Sequence, residues 1–418
     1  MERINYGLFL AVVALLPFPQ ILLRYAIALW LFTWLLEGRW LKKPSFRFRN
    51  PSSYIVIPFM LFGLWYVWKA VSGLWAADHV AWSQQMERYL CCVLLVPLDL
   101  WGVNRRYQWQ TAGKVLVVSC LAAVPAYLLW LTILFNHPEI VPHLHLTEQW
   151  IQHEEWRMFV SENISHFKHR LFLCSVELFG AVIACQIYRK RLAVLIPSLA
   201  VMLSLIPLTG SRQSILTAAA MAVIGILYVL PTGRKMRYGI AVIAVGIAAG
   251  IGLLSLHPRM QEFNWRHITE MRTMSYEHDI RFNIWGAALQ QPKDYMAYGL
   301  GAGQSRAYLV QRYQEAGFTY YAQMQYHPHN QYLDELLEIG IGGLLLFVLA
   351  WLSIPLCAKK EGRRTAVLFT TLFMLNMFTD CMFGRFCGIA LWVVGLLFIL
   401  LQTDAERDEQ ATRDAEAH

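Results

Sequence analysis

The amino-acid sequence predicts an all-α polytopic membrane protein with about twelve transmembrane helices. Two features of the composition indicate this fold class: 57% of the 418 residues are hydrophobic, and only 15% are charged. A soluble domain usually carries charge on about a quarter of its residues. In addition, apolar runs of roughly 20 residues recur along the chain, and a helix of that length crosses the hydrocarbon core of a bilayer. The composition therefore excludes an ordinary soluble globular protein.

The predicted spans include some that are short and some that proline or glycine interrupts. They lie at 5–19, 20–37, 52–73, 86–101, 113–135, 171–188, 192–208, 214–230, 238–256, 332–357, 365–379 and 386–402. The first span follows Arg3 and has no small-residue cleavage site. We therefore interpret it as a retained helix rather than a signal peptide.

Basic residues in the connections predict the orientation in the membrane. They cluster after every second span, at Arg39, Lys42, Lys43, Arg47 and Arg49, at Arg105 and Arg106, at Arg189, Lys190 and Arg191, at Arg234, Lys235 and Arg237, and at Lys359, Lys360, Arg363 and Arg364. All these connections fall on one side, which the positive-inside rule assigns to the cytoplasm together with both termini. The net charge of +8 mainly reflects these residues and gives no reason to expect nucleic-acid binding.

The predicted spans divide the chain into four parts. Residues 1–256 contain spans one to nine, with short loops and an outer segment near 136–170. Residues 257–330 form a large outer loop, or cap, with helices of its own between spans nine and ten. Residues 331–403 contain the last three spans, and 404–418 form a cytoplasmic tail. Loops as long as this cap are uncommon and usually functional.

The tenth span begins with polar residues that share one helical face. At the spacing i, i+3, i+4 and i+7, they are Gln331, Asp334, Glu335 and Glu338. Polar groups that enter a membrane are costly unless they face a cavity or a partner, so we predict that this helix begins in a working cleft. Gly340 and Gly343 follow, where a neighbouring helix could approach closely.

A tight turn between two spans carries Ser211 and Arg212, in the sequence Thr209-Gly210-Ser211-Arg212. Backbone N–H groups at the start of the following helix, together with the guanidinium of Arg212, are typical of an anion-binding site. The alternative is an interfacial arginine whose side chain reaches lipid head groups.

A second arginine, Arg281, begins a helical pattern in the outer loop that also contains Trp285. Gly299, Gly301 and Gly303 follow and permit tight turns or close approach of the backbone to a ligand. A dinucleotide fingerprint is excluded, because no strand precedes these glycines. The alternative for Arg281 is an ordinary surface or ion-paired residue.

Two histidines precede the tenth span, in the sequence His327-Pro328-His329-Asn330. Pro328 favours an extended backbone at His327 and suits a chain that stops before a helix. A His-x-His pair could bind a metal ion, but the sequence positions no third ligand, and neutral structural histidines are the alternative. We predict no metal site.

Glu177 lies inside a predicted span, and an intramembrane carboxylate is a functional candidate by default. The alternative is a structural ion pair with Arg170 or another buried arginine.

The eight cysteines indicate neither a disulfide framework nor a metal site, because they lie in or beside predicted spans without metal-type spacing. They are Cys91, Cys92, Cys120, Cys174, Cys185, Cys357, Cys381 and Cys387.

Three motifs together resemble the O-antigen ligase and lipid-linked polysaccharide polymerase superfamily. In chain order they are Thr209-Gly210-Ser211-Arg212, then Arg281, Trp285, Ala288, Pro292, Gly299, Gly301 and Gly303, then His329-Asn330 followed after nine residues by Gly340 and Gly343. The motifs cover roughly the last half of the chain, and the first half is similar only in topology.

The resemblance implies a glycosyltransferase of the GT-C type in the inner membrane of a Gram-negative bacterium. It implies a donor glycan on undecaprenyl diphosphate, used on the periplasmic face without a cofactor, and, for an O-antigen ligase, a lipid A–core acceptor. Arginines stay charged and bind phosphate oxygens in a fork, so we assign Arg212 and Arg281 to the leaving diphosphate. His329, when neutral, can accept the proton of the attacking sugar hydroxyl. His327, Asn330 and Glu338 are further candidate contacts.

Three alternatives remain open from the sequence. A polymerase or a protein O-oligosaccharyltransferase would use the same donor with another acceptor. A lipid-linked glycan transporter or flippase would be of another class, and Glu177 is its main support. A transporter should carry several charges near mid-membrane on discontinuous helices, whereas the unusual polar groups here cluster on the outer face.

Overall fold

The computed structural model describes residues 1–38, 56–100, 107–136, 168–229, 280–358 and 362–416. Within these ranges every regular element is a helix, and no strand occurs. The α-helices are α1 (Glu2–Leu15), α2 (Gln20–Leu36), α3 (Val56–Val71), α4 (His79–Leu100), α5 (Trp109–Asn136), α6 (Arg170–Ile187), α7 (Leu192–Leu208), α8 (Arg212–Val229), α9 (Ile280–Ala288), α10 (Ser305–Glu315), α11 (Thr319–Met324), α12 (Gln331–Cys357), α13 (Gly362–Met377) and α14 (Phe386–Glu416).

The predicted spans coincide with helices wherever the structure describes them, and the predicted span at 238–256 lies outside the described residues. Three helices are clearly longer than predicted: α4, α14 and α5, which runs from Trp109 to Asn136 against a predicted span of 113–135. Helix α4 begins at His79 because Oδ1 of Asp78 accepts hydrogen bonds from the backbone N–H groups of Val80 and Ala81, at 2.8 and 3.1 Å, as an N-cap. Helix α14 continues to Glu416, so most of the predicted tail is helical.

Four of the described helices are long and apolar enough to cross a membrane. They contain Ile57–Leu74, Trp109–Leu134, Arg170–Ile187 and Gln331–Cys357. Shorter apolar helices are Gln20–Leu36, Leu192–Leu208 and Phe386–Gln402. These helices agree with a multi-pass membrane protein, while the count of twelve spans and the GT-C arrangement remain predictions.

The chain divides into two compact units, each made of more than one stretch of sequence. One boundary between them falls within α14, between Val393 and Val394. The first unit contains α1, α2, α5 to α8 and the later part of α14. Its central helix is α6, whose residues from Leu171 to Ala184 are all buried. A helix that is apolar on all sides is stable only when neighbours cover it, and α5 and α7 pack against α6 here.

The second unit contains α3, α4, α9 to α13 and the start of α14, with α12 packed against α3 and α13. In the described residues between α9 and α12, Tyr295, Tyr308, Tyr313 and Tyr321 form a buried cluster with Leu337 of α12. The cap residues 257–279, and 137–167 of the predicted outer segment, lie outside the described residues.

Candidate active site

Helix α12 is interrupted at Gly340, which has φ 69° and ψ −175°. In a continuous helix the N–H group of Ile341 would bond to the carbonyl of Leu337. Here it donates to Met296 O at 2.9 Å instead, and Leu337 O accepts the N–H of Leu300 at 2.8 Å. The loop before α10 therefore replaces the helical hydrogen bonds that the kink removes.

The glycines of this loop are needed because backbone meets backbone. A Cβ atom at Gly299 would overlap the carbonyl of Glu338, and one at Gly303 would lie 2.7 Å from Ala81 O. A Cβ atom at Gly340 would lie 2.5 Å from Ala297 O. The glycine run thus approaches protein backbone.

The expected close approach near Gly340 is made by a loop as well as by a helix, because Trp68 Nε1 of α3 donates to Ile339 O at 3.1 Å, one residue before Gly340. A loop approaches Gly340, and a Cβ atom at Gly343 would meet the side chain of Ile339 from its own helix, at 2.5 Å.

Lys69 of α3, which was not singled out from the sequence, pairs with two carboxylates on the polar face of α12. Its Nζ atom lies 2.6 Å from Oε2 of Glu338 and 3.1 Å from Oε2 of Glu335, and all three side chains are buried. Trp65 donates to Glu335 at 2.8 Å, and Gln85 donates to Glu338 at 2.7 Å. These residues find protein partners, which is one of the ways in which polar groups inside a membrane are stabilised. That the helix begins in a working cleft stays a prediction.

Two further hydrogen bonds attach neighbouring segments to the first turns of α12. Ser305 Oγ at the start of α10 donates to Oδ1 of Asp334 at 2.6 Å. Oε1 of Gln331 accepts the backbone N–H of Phe383 at 2.9 Å. The starts of α10 and α14 are thereby held beside the start of α12.

The segment before α12 has a defined local conformation. Asn330 is the N-cap of α12, and its Oδ1 accepts the N–H of Leu333 at 3.1 Å. His329 has a φ of 48°, in the left-handed region that few residues other than glycine adopt. Its backbone N–H donates to Nδ1 of His327 at 3.1 Å. Trp285 of α9 donates from Nε1 to Pro328 O at 3.0 Å, so the predicted helix in the cap contacts this segment.

Asp380, which follows α13, faces the imidazole of His329. Nδ1 of His329 lies 3.7 Å from Oδ1 of Asp380; the His329 side chain is 25% exposed and that of Asp380 is 4% exposed. The backbone N–H of Cys381 donates to the same carboxylate oxygen at 2.8 Å and holds it in place. Asp380 was not named from the sequence. Its position directly after a predicted span could have marked it as a candidate functional residue.

His327 is the second imidazole of the site, and its ring centroid lies 3.9 Å from that of His329. Burial lowers the pKa of His327 to about 3, and the neighbouring His329 is the next largest cause. Arg306 and Arg385 also lower this pKa, whereas Asp380 raises it. His327 is therefore neutral near pH 7 and accepts the N–H of His329.

His327, His329 and Asp380 each offer one metal-ligand atom, and these atoms lie within 4.8 Å of one another. The sequence provided no third ligand for the two histidines, whereas the fold provides Asp380.

Arg281 is partly buried and lies one helical turn before Trp285 on α9. Residues at i and i+4 share a helix face, and Trp285 contacts the segment that carries His329. Arg281 and His329 thus belong to adjoining segments of the same unit.

Arg212 belongs to the other unit, where it is the first residue of α8. Gly210 has a φ of 57°, and Ser211 Oγ lies 2.7 Å from Ser214 Oγ, which confirms the tight turn before this helix.

Glu177 is buried in α6, and neither of its carboxylate oxygens has a hydrogen-bond partner of ordinary geometry. The expected pairing of Glu177 with Arg170 is wrong, because no ion pair joins these two described residues. Lys168 and the Cys120 thiol are the charged or polar groups that act on it electrostatically. The ammonium of Lys168 itself donates to Leu16 O and Phe18 O.

Comparison with known families identifies part of the chain. Residues 197–348 match the model of the O-antigen ligase family. No curated protein is significantly similar to the chain. The matched region contains Arg212, Arg281, His329 and Gly340, whereas Lys69 and Asp380 lie outside it. The resemblance to the O-antigen ligase and polysaccharide polymerase superfamily is therefore confirmed, with the family match extending over residues 197–348.

Proposed function

We propose that the protein is an O-antigen ligase of the Gram-negative inner membrane. It transfers a preassembled glycan from undecaprenyl diphosphate to lipid A–core oligosaccharide on the periplasmic face. The observation that carries this proposal is the partly exposed imidazole of His329, which is held beside the buried carboxylate of Asp380. His329 lies in the region that matches the O-antigen ligase family.

The geometry around His329 suits a general base. Nδ1 faces Asp380, which leaves Nε2 for the hydroxyl proton of the acceptor sugar. The separation of 3.7 Å is longer than a hydrogen bond, and such contacts often tighten only when substrate binds. Once His329 has taken the proton, the carboxylate of Asp380 stabilises the imidazolium charge.

The transfer step is a direct displacement. The acceptor oxygen attacks the anomeric carbon, the bond from that carbon to the diphosphate oxygen breaks, and the diphosphate leaves with the electron pair. The proton of the attacking hydroxyl passes to His329. Attack from the face opposite the leaving group inverts the anomeric centre.

The leaving diphosphate needs a cationic partner, and we assign Arg281, which is in the same unit as His329, to it. A guanidinium binds two phosphate oxygens at once and does not lose its proton at neutral pH. Such a group stabilises the developing charge in the role that a metal ion has in other transferases. On this basis the reaction requires no metal ion.

The testing experiment uses the purified full-length protein in lipid nanodiscs with EDTA, undecaprenyl-diphosphate-linked glycan and lipid A–core. We expect glycan transfer to lipid A–core by the native protein and none by His329→Ala. If the glycan lengthens on the carrier instead, the protein is a polymerase, and transfer to serine or threonine would make it a protein O-oligosaccharyltransferase. No turnover with any acceptor, together with movement of the donor across the membrane of sealed proteoliposomes, would favour the transporter.

A further inference from the structure

We propose that His327, His329 and Asp380 form a binding site for a transition-metal ion of the Zn²⁺ type, and that an ion bound there switches the transferase off. The binding part of this proposal stands by itself. The inhibition part rests on the proposed function, because it requires His329 to be the base.

The three side chains already lie close to a metal-binding geometry. Their ligand atoms fall within 4.8 Å of one another. Two of these side chains, His329 and Asp380, approach to 3.7 Å between Nδ1 and Oδ1. In a tetrahedral site with bonds of about 2.0–2.1 Å to nitrogen, ligand atoms lie about 3.4 Å apart. Side-chain rotations that move each ligand atom by about 1 Å are therefore sufficient to reach the tetrahedral geometry, without movement of the backbone.

The donor set selects the class of ion. Two imidazoles and one carboxylate suit Zn²⁺ and its neighbours in the transition series, whereas Mg²⁺ and Ca²⁺ prefer oxygen ligands. Three protein ligands leave a fourth position open, as in zinc sites that bind water or substrate. Asp380 is held by the Cys381 N–H at 2.8 Å, which is the kind of outer contact that orients a metal ligand.

Two features of the structure limit the affinity. His327 Nδ1 accepts the N–H of His329, so this hydrogen bond is exchanged when that nitrogen binds the ion. The guanidinium groups of Arg306 and Arg385 act on His327 and repel a cation, whereas the carboxylate of Asp380 attracts one. The site is therefore weaker than a structural zinc site and responds to the metal concentration.

Occupancy removes the proposed base. When Nδ1 of His329 binds the ion, the neutral imidazole carries its proton on Nε2, so Nε2 has no lone pair to accept the hydroxyl proton. The bound Asp380 also no longer stabilises an imidazolium at His329. The ion is thus an inhibitor whose removal restores the free imidazole.

Binding is tested with Co²⁺ as the probe, added to the full-length protein in nanodiscs and followed by the visible absorption of tetrahedral Co²⁺, with Zn²⁺ as competitor. We expect one ion per chain, and binding weaker by a factor of about ten or more in His327→Gln and Asp380→Asn. The matched control is His79→Gln, an exposed histidine of the same unit, and should bind as the native protein does. Arg306→Gln should bind more tightly, a gain that misfolding cannot produce.

The inhibition arm measures glycan transfer with Zn²⁺ and then with EDTA. The proposal is supported if Zn²⁺ abolishes transfer and EDTA restores it. The residual activity of His327→Gln should then resist inhibition by Zn²⁺. No Co²⁺ spectrum, or binding that His327→Gln and Asp380→Asn leave unchanged, overturns the site. Stimulation by Zn²⁺ overturns the inhibition. Metal binding without transfer to any acceptor instead counts against the proposed function and leaves the site standing.

Discussion

Lys69 Nζ lies 2.6 Å from Oε2 of Glu338, and neither side chain is reached by solvent. The pair joins α3 to α12 immediately before the kink at Gly340, and Gly303 N–H donates to the other oxygen of Glu338 at 3.0 Å. The same carboxylate therefore connects a helix to the glycine loop.

Replacing Lys69 with Met should destabilise the protein by about 3–5 kcal/mol, because it leaves buried carboxylates without their cation. The measurement is thermal unfolding of the purified protein in detergent. Lys293→Met, at an exposed lysine of the same unit, is the matched control and should change little. Equal stability of the two variants would contradict the buried network.

Gly340→Ala should lower the folded yield and destabilise the protein by about 1–3 kcal/mol, because alanine resists a φ of 69° and its Cβ would lie 2.5 Å from Ala297 O. Gly342→Ala is the control, since a Cβ atom at that position meets nothing within 4 Å. Thermal unfolding of both variants decides the matter. A Gly340→Ala protein as stable as Gly342→Ala would mean that the kink is not required.

His329→Ala should abolish glycan transfer, and Asp380→Asn should lower the rate by a factor on the order of ten to a thousand with little change in donor binding. The first change removes the base, and the second keeps the shape but removes the charge that stabilises the imidazolium. Initial rates at saturating substrate measure both effects. His79→Ala serves as the control, and full transfer by His329→Ala would rule out its role.

Arg281→Ala should weaken use of the donor severely, and Arg281→Lys should restore little, because an ammonium cannot bind two phosphate oxygens in a fork. The same order is expected at Arg212. The readout is transfer rate against donor concentration. Arg364→Lys, at an exposed arginine, provides the conservative control. Native turnover in Arg281→Lys would argue against a bidentate contact with the diphosphate.

The helices were predictable because apolar runs and polar connections alternate along the chain, and the motif residues Arg212, Arg281 and His329 could be named from their pattern. Lys69 and Asp380 were not predicted, since each meets its partner only through folding: Lys69 pairs with residues 266 and 269 positions away in the sequence. The loop that approaches Gly340 was not predicted for a similar reason. A glycine in an apolar run predicts close approach but does not distinguish a helix from a loop.

The kink at Gly340 also sets how α12 meets the bilayer. From Ile341 to Cys357 the helix extends about 25 Å, a little less than the roughly 30 Å hydrocarbon core. The polar first part of α12, from Gln331 to Ile339, is covered by protein partners, so lipid does not determine its position. Its depth is set by the bonds of Leu300 and Gly301 to Leu337 O and Glu338 O. A bilayer thicker than this part of α12 is accommodated by local thinning or by oligomerisation, while the bonds to the cap keep His329 at the same level relative to the cap.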